Sequence, residues 1–205
     1  MINHIIDKIK SCLPDKYKQL DIHEPSFERK DIDNVAKCIE STYVSTKGKY
    51  IDYFTEKLTK VTGSKNILLT NSGTSALFLS LKTINIDSCE VLMPSMTFVA
   101  TANSVIDAGG IPNFIDSSSE SLNACPISIE KYLKSIATYK NKLCLNKFTG
   151  RVIKALIVVH AYGEPANLTA IKRITKKYNI PVSYTHLRAH ETLMNLVCRL
   201  LLEKT

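Results

Sequence analysis

Several stretches of this sequence bring together residue types that can do chemistry. In LLTNSGTSAL, Asn71, Ser72 and Gly73 make a tight turn ahead of Thr74 and Ser75. Free backbone amides at a helix start, beside small hydroxyl side chains, form an anion site suited to a phosphate group. The spacing matches neither G-x-x-x-x-G-K-[ST] nor G-x-G-x-x-G, so it is not a nucleotide-binding fingerprint of either kind. In PSMTFVATAN, Phe98 stands just inside a second helix start, where its ring can pack in the core or stack on a planar ligand. In VVHAYGEPANL, His160 ends an apolar run, and Gly163 and Pro165 shape the loop after it. A lone histidine in such a place is read first as a structural residue. Near the end, His186 and His190 are followed by Glu191 and, further on, Cys198. On a helix the two histidines would share a face as two metal ligands do, but a third ligand and its supporting shell are missing, so no metal site is assigned.

Helix and strand signals alternate from about residue 27 onward. In FERKDIDNVAKCIESTYV, Ile32, Val35, Ala36, Ile39 and Tyr43 recur at helical spacing, with Ser26 as the expected cap. GKYIDYFTEKLTKVTG repeats the pattern through Ile51, Phe54 and Leu58, and Gly63 stops it. NILLT (66–70) reads as a buried strand and TSALFLSLKTI (74–84) as a helix with Leu77, Leu81 and Ile84 inward. EVLMP (90–94), TFVATANSVIDA (97–108), IPNFID (111–116), SIEKYLKSI (128–136) and IKALIVVH (153–160) continue the alternation, and Asn167 caps LTAIKRITKKYNI. The order predicts an α/β fold whose mainly parallel sheet carries helices on both faces. Ligands in such sheets bind at the carboxyl ends of strands, which singles out the turns after Thr70, Pro94 and His160.

Composition narrows the function classes. The chain has 205 residues, 44% of them hydrophobic and 22% charged, and no apolar run reaches the roughly 18 residues of a membrane span. MINHIIDKIK lacks the unbroken apolar core of a signal peptide, so a cytoplasmic location is expected. The six cysteines form no C-x-x-C pair and are read as reduced thiols. The net charge of +8 is spread along the chain without a basic run, so no nucleic-acid partner and no membrane partner are expected.

The succession VSTKGKYIDYF, TNSGTSAL, PSMTFVATANSV, NKFTGRVIKALIVVHAYGEPANL and KKYNIPV, in that order, closely resembles the DegT/DnrJ/StrS family of pyridoxal-phosphate-dependent sugar aminotransferases. The NKFTGR insertion looks most like the LegC-like branch. The resemblance covers roughly Asp21 to Val182 and implies the N-terminal part of a fold type I transferase large domain and, for the parent enzyme, a homodimer and the cofactor pyridoxal 5'-phosphate, with weak or no cofactor binding expected in this fragment. It implies as partners a nucleotide-linked 4-keto sugar and an amino donor, glutamate, in surface polysaccharide or amino-sugar biosynthesis. Gly73, Thr74 and Ser75 would hold the cofactor phosphate, and Phe98 would stack on its ring. His160, Tyr162 and Gly163 match the loop after the long strand and would lend support behind the cofactor. Ser45 and Thr46 match an N-terminal segment near the cofactor or substrate.

The family chemistry also needs a carboxylate on the ring nitrogen and a Schiff-base lysine. By the resemblance, the carboxylate belongs directly after the strand that follows KKYNIPV, where this chain reads VSYTHLRA with Thr185 near the expected aspartate. The lysine would lie beyond the last residue. Composition breaks at the same place: residues 1–182 hold 22 Ile, 21 Lys and three Arg, and the last 23 residues hold no Ile, one Lys and two Arg. VSYTHLRAHET moreover resembles the translated end of a sequencing-library adapter. The expected organisation is an N-terminal arm (1–26), a partial aminotransferase large domain (27–182) and an artefactual tail (183–205), the chain by itself being inactive, with no catalytic residue assigned. Two other readings stay open: a sugar dehydratase of the same fold, in which a histidine replaces the lysine, and a noncatalytic ligand-binding fragment.

Overall fold

The computed structural model describes residues 2–12, 26–185 and 198–201. Backbone proximity divides the chain into two units, Met1–Tyr50 and Ile51–Thr205.

The first unit holds α1 (Ile2–Ser11) and α2 (Arg29–Glu40). Glu28, not Ser26, is the N-cap of α2. The Asp31 carboxylate accepts the Glu28 amide at 2.9 Å and puts a negative charge in the first turn, where the helix dipole favours it. The helix buries none of its residues, so the face of Ile32, Val35 and Ile39 that its spacing marks as inward is exposed. Helix α3 (Lys49–Thr62) leads into the second unit, and Gly63 ends it at a φ of +67°, the left-handed conformation that glycine adopts without a Cβ clash.

The second unit continues with α4 (Gly73–Thr83), β1 (Glu90–Pro94), α5 (Val99–Asp107), β2 (Ile111–Ile115) and α6 (Pro126–Ile136). A hairpin of β3 (Ala137–Lys140) and β4 (Leu143–Asn146) follows, then β5 (Ile153–Val159), α7 (Leu168–Lys177), β6 (Val182–Thr185) and β7 (Cys198–Leu201). Five strands form one sheet in the order β2-β1-β5-β6-β7. The pairs β1–β2, β1–β5 and β5–β6 are parallel, and β7 runs antiparallel to β6.

Both faces of the sheet are covered, as strands buried on two sides require. On one face, Val91 and Met93 of β1 and Ala155, Ile157 and Val159 of β5 pack with Leu77 and Leu81 of α4 and Val105 of α5. On the other, Leu92, Leu156 and Val158 pack with Ile129 and Leu133 of α6 and Ile171 and Ile174 of α7. The register slips between Glu90 and Val91, where Lys154 is the extra residue of β5. That bulge turns Ile153 to the α6–α7 face, although it stands two residues from Ala155 on the other.

The segment 66–70 is not a strand. It pairs with no strand among the described residues, and Leu68 is 79% exposed. An apolar run creates a demand for burial, but a strand also needs a neighbour for its amides and carbonyls. The histidines at 186 and 190 and Glu191 lie outside the described residues.

Candidate functional site

The turn into α4 is built from its own hydroxyls. Ser72 is the N-cap, and its Oγ accepts the Ser75 amide at 3.1 Å. The Ser72 hydroxyl points to Ser75 Oγ at 3.0 Å, and Ser75 Oγ donates to Asn71 Oδ1 at 2.8 Å. Thr70 Oγ1 closes the turn from the other side by donating to the Ser72 carbonyl at 2.8 Å. The first amides of a helix have no acceptor within it. Here Ser72 takes the amide of Ser75, while those of Gly73 and Thr74 make no hydrogen bond to the described residues. Among the described residues, the donors left without a partner at the turn are the amides of Gly73, itself buried, and of Thr74, whose side chain is exposed, whereas the Ser75 amide is taken by Ser72.

Helix α5 fastens this turn. Ser104 is fully buried; its Oγ lies 2.7 Å from the Ala100 carbonyl and 3.3 Å from the Thr74 carbonyl, sharing one hydrogen between its own helix and α4. Thr97 Oγ1 donates to the buried Thr101 Oγ1 at 2.8 Å and holds the entrance to α5. Phe98 is the N-cap residue of that helix, in extended backbone conformation, and the residue is 63% exposed. The ring thus packs in neither hydrophobic core.

At the carboxyl end of β5, next to that of β1 in the parallel sheet, the chain turns through His160 and a short 3₁₀ stretch, Ala161–Gly163. His160 is buried, and its Nδ1 accepts the Ala166 amide at 2.9 Å, which fixes that nitrogen as the unprotonated one. Tyr162 adopts the left-handed conformation (φ 52°, ψ 23°), and its side chain is 76% exposed. Ser45 and Thr46 lie in the first unit, between α2 and α3, and both are exposed.

One residue at this edge escapes a reading by motif. Asn123 is 2% exposed; its Oδ1 accepts the Ala161 amide at 2.8 Å and its Nδ2 donates to the Glu164 carbonyl at 3.1 Å. In the sequence it is one asparagine in SLNACP, with only its place before the proline that opens α6 to mark it as a turn residue. Beside it, between α6 and α7, a cavity of about 430 Å³ is lined by Ser118, Cys125, Asn167 and Arg173 among others. No group of three or more His, Cys, Asp or Glu able to hold a metal occurs among the described residues. None of the described helices is long and apolar enough to cross a membrane.

A mainly parallel sheet covered on both faces, with a helix start and an exposed aromatic ring at its carboxyl edge, is the architecture of a fold type I transferase large domain. The crystal structure of a DegT DnrJ EryC1 StrS aminotransferase from Brucella abortus superposes with a TM-score of 0.68 at 24% identity, over 81% of this chain and 43% of that one. That of NtdA from Bacillus subtilis with bound cofactor PMP gives 0.63 at 22% identity, over 86% and 42%. Residues 25–191 match the DegT/DnrJ/EryC1/StrS aminotransferase family, and the chain belongs to it. Among the curated relatives, GDP-perosamine synthase of Escherichia coli O157:H7 is 29% identical over 164 residues. That stretch is 80% of this chain and 41% of the relative, so the chain spans well under half the length of the relative it matches. The family match runs past Val182, where the composition changes.

Proposed function

We propose that these residues are the cofactor-binding N-terminal part of an aminotransferase that moves an amino group from glutamate to a nucleotide-linked 4-keto sugar. The relative named for a GDP sugar supports the nucleotide-linked substrate class. A cytoplasmic homodimer is the form in which such an enzyme would work. The observation that carries the reading is the α4 turn, whose Gly73 and Thr74 amides, unbonded among the described residues, stand at the positive end of a helix fastened to the helix that Phe98 caps.

The residues fit pyridoxal phosphate. Its phosphate is a dianionic acceptor, and the donors open to it are the Gly73 and Thr74 amides and the Thr74 hydroxyl. Ser72 and Ser75 hold the turn in shape through the bonds to each other and to Asn71. Phe98 offers a ring face, free of the core, for stacking. Bound there, the group supplies an electron sink for amino transfer. His160 keeps the neighbouring loop in place through Ala166, and Tyr162 gives that edge an exposed phenol. This chain alone is expected to turn over no sugar, because none of the described residues is assigned the role of ring-nitrogen carboxylate or cofactor lysine.

Two measurements test the reading. Titration with pyridoxal phosphate and with pyridoxal should show the phosphate form binding about tenfold or more tightly, because charge-assisted bonds to the turn require it. Phe98→Ala should weaken cofactor binding about fivefold through lost stacking, with an unchanged melting curve. Equal affinity for the two forms would remove the phosphate assignment. For the longer protein, glutamate-dependent amination of a nucleotide-linked 4-keto sugar is expected; no 2-oxoglutarate release with any such sugar would sink the substrate class.

A further inference from the structure

We infer that Asn123 is a positioning residue, a side-chain clamp that fixes the loop carrying Tyr162 at the carboxyl edge of the sheet. The loop after β2 passes the end of β1 to reach that of β5, since β1 lies between the two in the sheet. Asn123 belongs to this loop and is itself held from behind, its carbonyl accepting the Ser118 amide at 2.7 Å. From there one amide side chain binds both ends of the 3₁₀ stretch, accepting from Ala161 and donating to Glu164. An aliphatic side chain of that size can do neither, and a carboxylate can do only the first.

The clamp has something to resist. Tyr162, between the two clamped residues, sits in the left-handed region, which a side chain bearing a Cβ occupies at an energetic cost and leaves when released. Within the stretch the Glu164 amide donates to the Ala161 carbonyl at 3.0 Å, and beyond it His160 takes the Ala166 amide at 2.9 Å. Among the described residues, Asn123 is an attachment that reaches this loop from a different part of the chain, and it is buried while Tyr162 is exposed. The geometry makes Asn123 a determinant of where the Tyr162 phenol stands. The consequence for turnover, a defined contact of Tyr162 with bound substrate, rests on the aminotransferase reading above; the clamp itself does not.

The test is amide hydrogen exchange on the whole protein, with Asn123→Ala and Asn123→Asp. In Asn123→Ala the Ala161 amide should exchange about tenfold faster, with Leu92 and Ile157 in the sheet unchanged. Asn123→Asp keeps the acceptor and should keep Ala161 protected, while freeing the Glu164 side. The chain has no tryptophan, so Tyr162→Trp supplies a single reporter, whose fluorescence anisotropy should fall when Asn123→Asp is added. The aspartate pair decides the matter if the alanine variant does not fold. Unchanged Ala161 exchange in Asn123→Ala, loosening spread evenly through β5, or unchanged anisotropy in the aspartate pair would each overturn the clamp. In the longer enzyme, Asn123→Asp should raise KM for the sugar more than it lowers kcat. A loosened loop with unmoved KM overturns the role in the reaction, whereas an enzyme without transaminase activity in any form overturns the aminotransferase reading and leaves the clamp standing.

Discussion

Residues of one type take opposite characters here according to what surrounds them, and the cysteines show it best. Cys125 is the N-cap residue of α6; its side chain makes no capping hydrogen bond, but the nearby Ser128 amide chiefly, with the Ser128 hydroxyl and the Ile127 amide, draws its thiol below the ordinary range against the opposing effect of burial. Burial pushes the Cys144 thiol up, and burial with Asp87 nearby does the same to Cys89 against the pull of Lys154. Only the thiolate is nucleophilic, so iodoacetamide at neutral pH should label Cys125 on the order of tenfold or more faster than Cys144, read by mass spectrometry of the peptides. Equal rates would contradict the helix-terminus effect. The sign of the linked stability follows from the depressed value. The folded state holds this proton less tightly, so the contribution is fully present above the ordinary thiol pKa and is lost as pH falls through the lowered one. The stability gap between wild type and Cys125→Ala should accordingly widen as pH rises.

Elements that look alike in sequence part company once partners are counted. EVLMP and NILLT are both short apolar runs, yet the first is a central strand with neighbours on both sides and the second has no ladder partner among the described residues. Periodicity reports which residues demand burial, and it carries nothing about pairing. The β3–β4 hairpin is hidden for a different reason. Its turn residues, Asn141 and Lys142, both have positive φ (52° and 64°), as a type I′ turn demands, but a lysine stands where the usual signal has glycine. The hairpin is held to the sheet by Glu90, 2% exposed at the start of β1. One carboxylate oxygen accepts from Asn113 at 2.7 Å and Asn146 at 3.0 Å, and the other accepts from Thr149 at 2.5 Å. Tyr132 extends the network by donating to Asn113 at 2.8 Å. Glu90→Ala should cost about 3 kcal/mol in urea unfolding, because it strands the buried Asn146 amide and the half-buried Asn113 amide. Glu90→Gln should cost about 1 kcal/mol, since the Thr149 hydroxyl can turn to accept from the new amide. Equal losses would show that volume, not hydrogen bonding, governs the position. The candidate site divides along the same line. The 71–75 turn, Phe98 and the loop after His160 are contiguous motifs and legible in sequence, whereas Ser104 and Asn123 act across 30 and 38 residues on groups no local pattern names.

At the scale of the second unit, the central strands belong to two cores at once, and this decides how the unit should unfold. Leu156 and Ile157 are adjacent in β5 and both fully buried, yet one packs with the α6–α7 layer and the other with the α4–α5 layer. Truncating either to alanine leaves a cavity against different helices and should cost about 2–5 kcal/mol in each case. If the layers were separate cooperative units, Leu156→Ala would loosen Leu133 on α6 and spare Leu77 on α4, and Ile157→Ala would do the reverse. The shared strand argues otherwise. Neither helical layer can keep its packing once β5 leaves β1, because each layer rests on alternate residues of the same two strands. The slowest-exchanging amides of Leu77 and Leu133 should therefore lose protection by the same amount in either variant, tracking the global stability change. Protection lost in one layer alone would mean that the sheet carries two independent domains, and the fastening of the α4 turn through Ser104 would then owe nothing to the α6–α7 side.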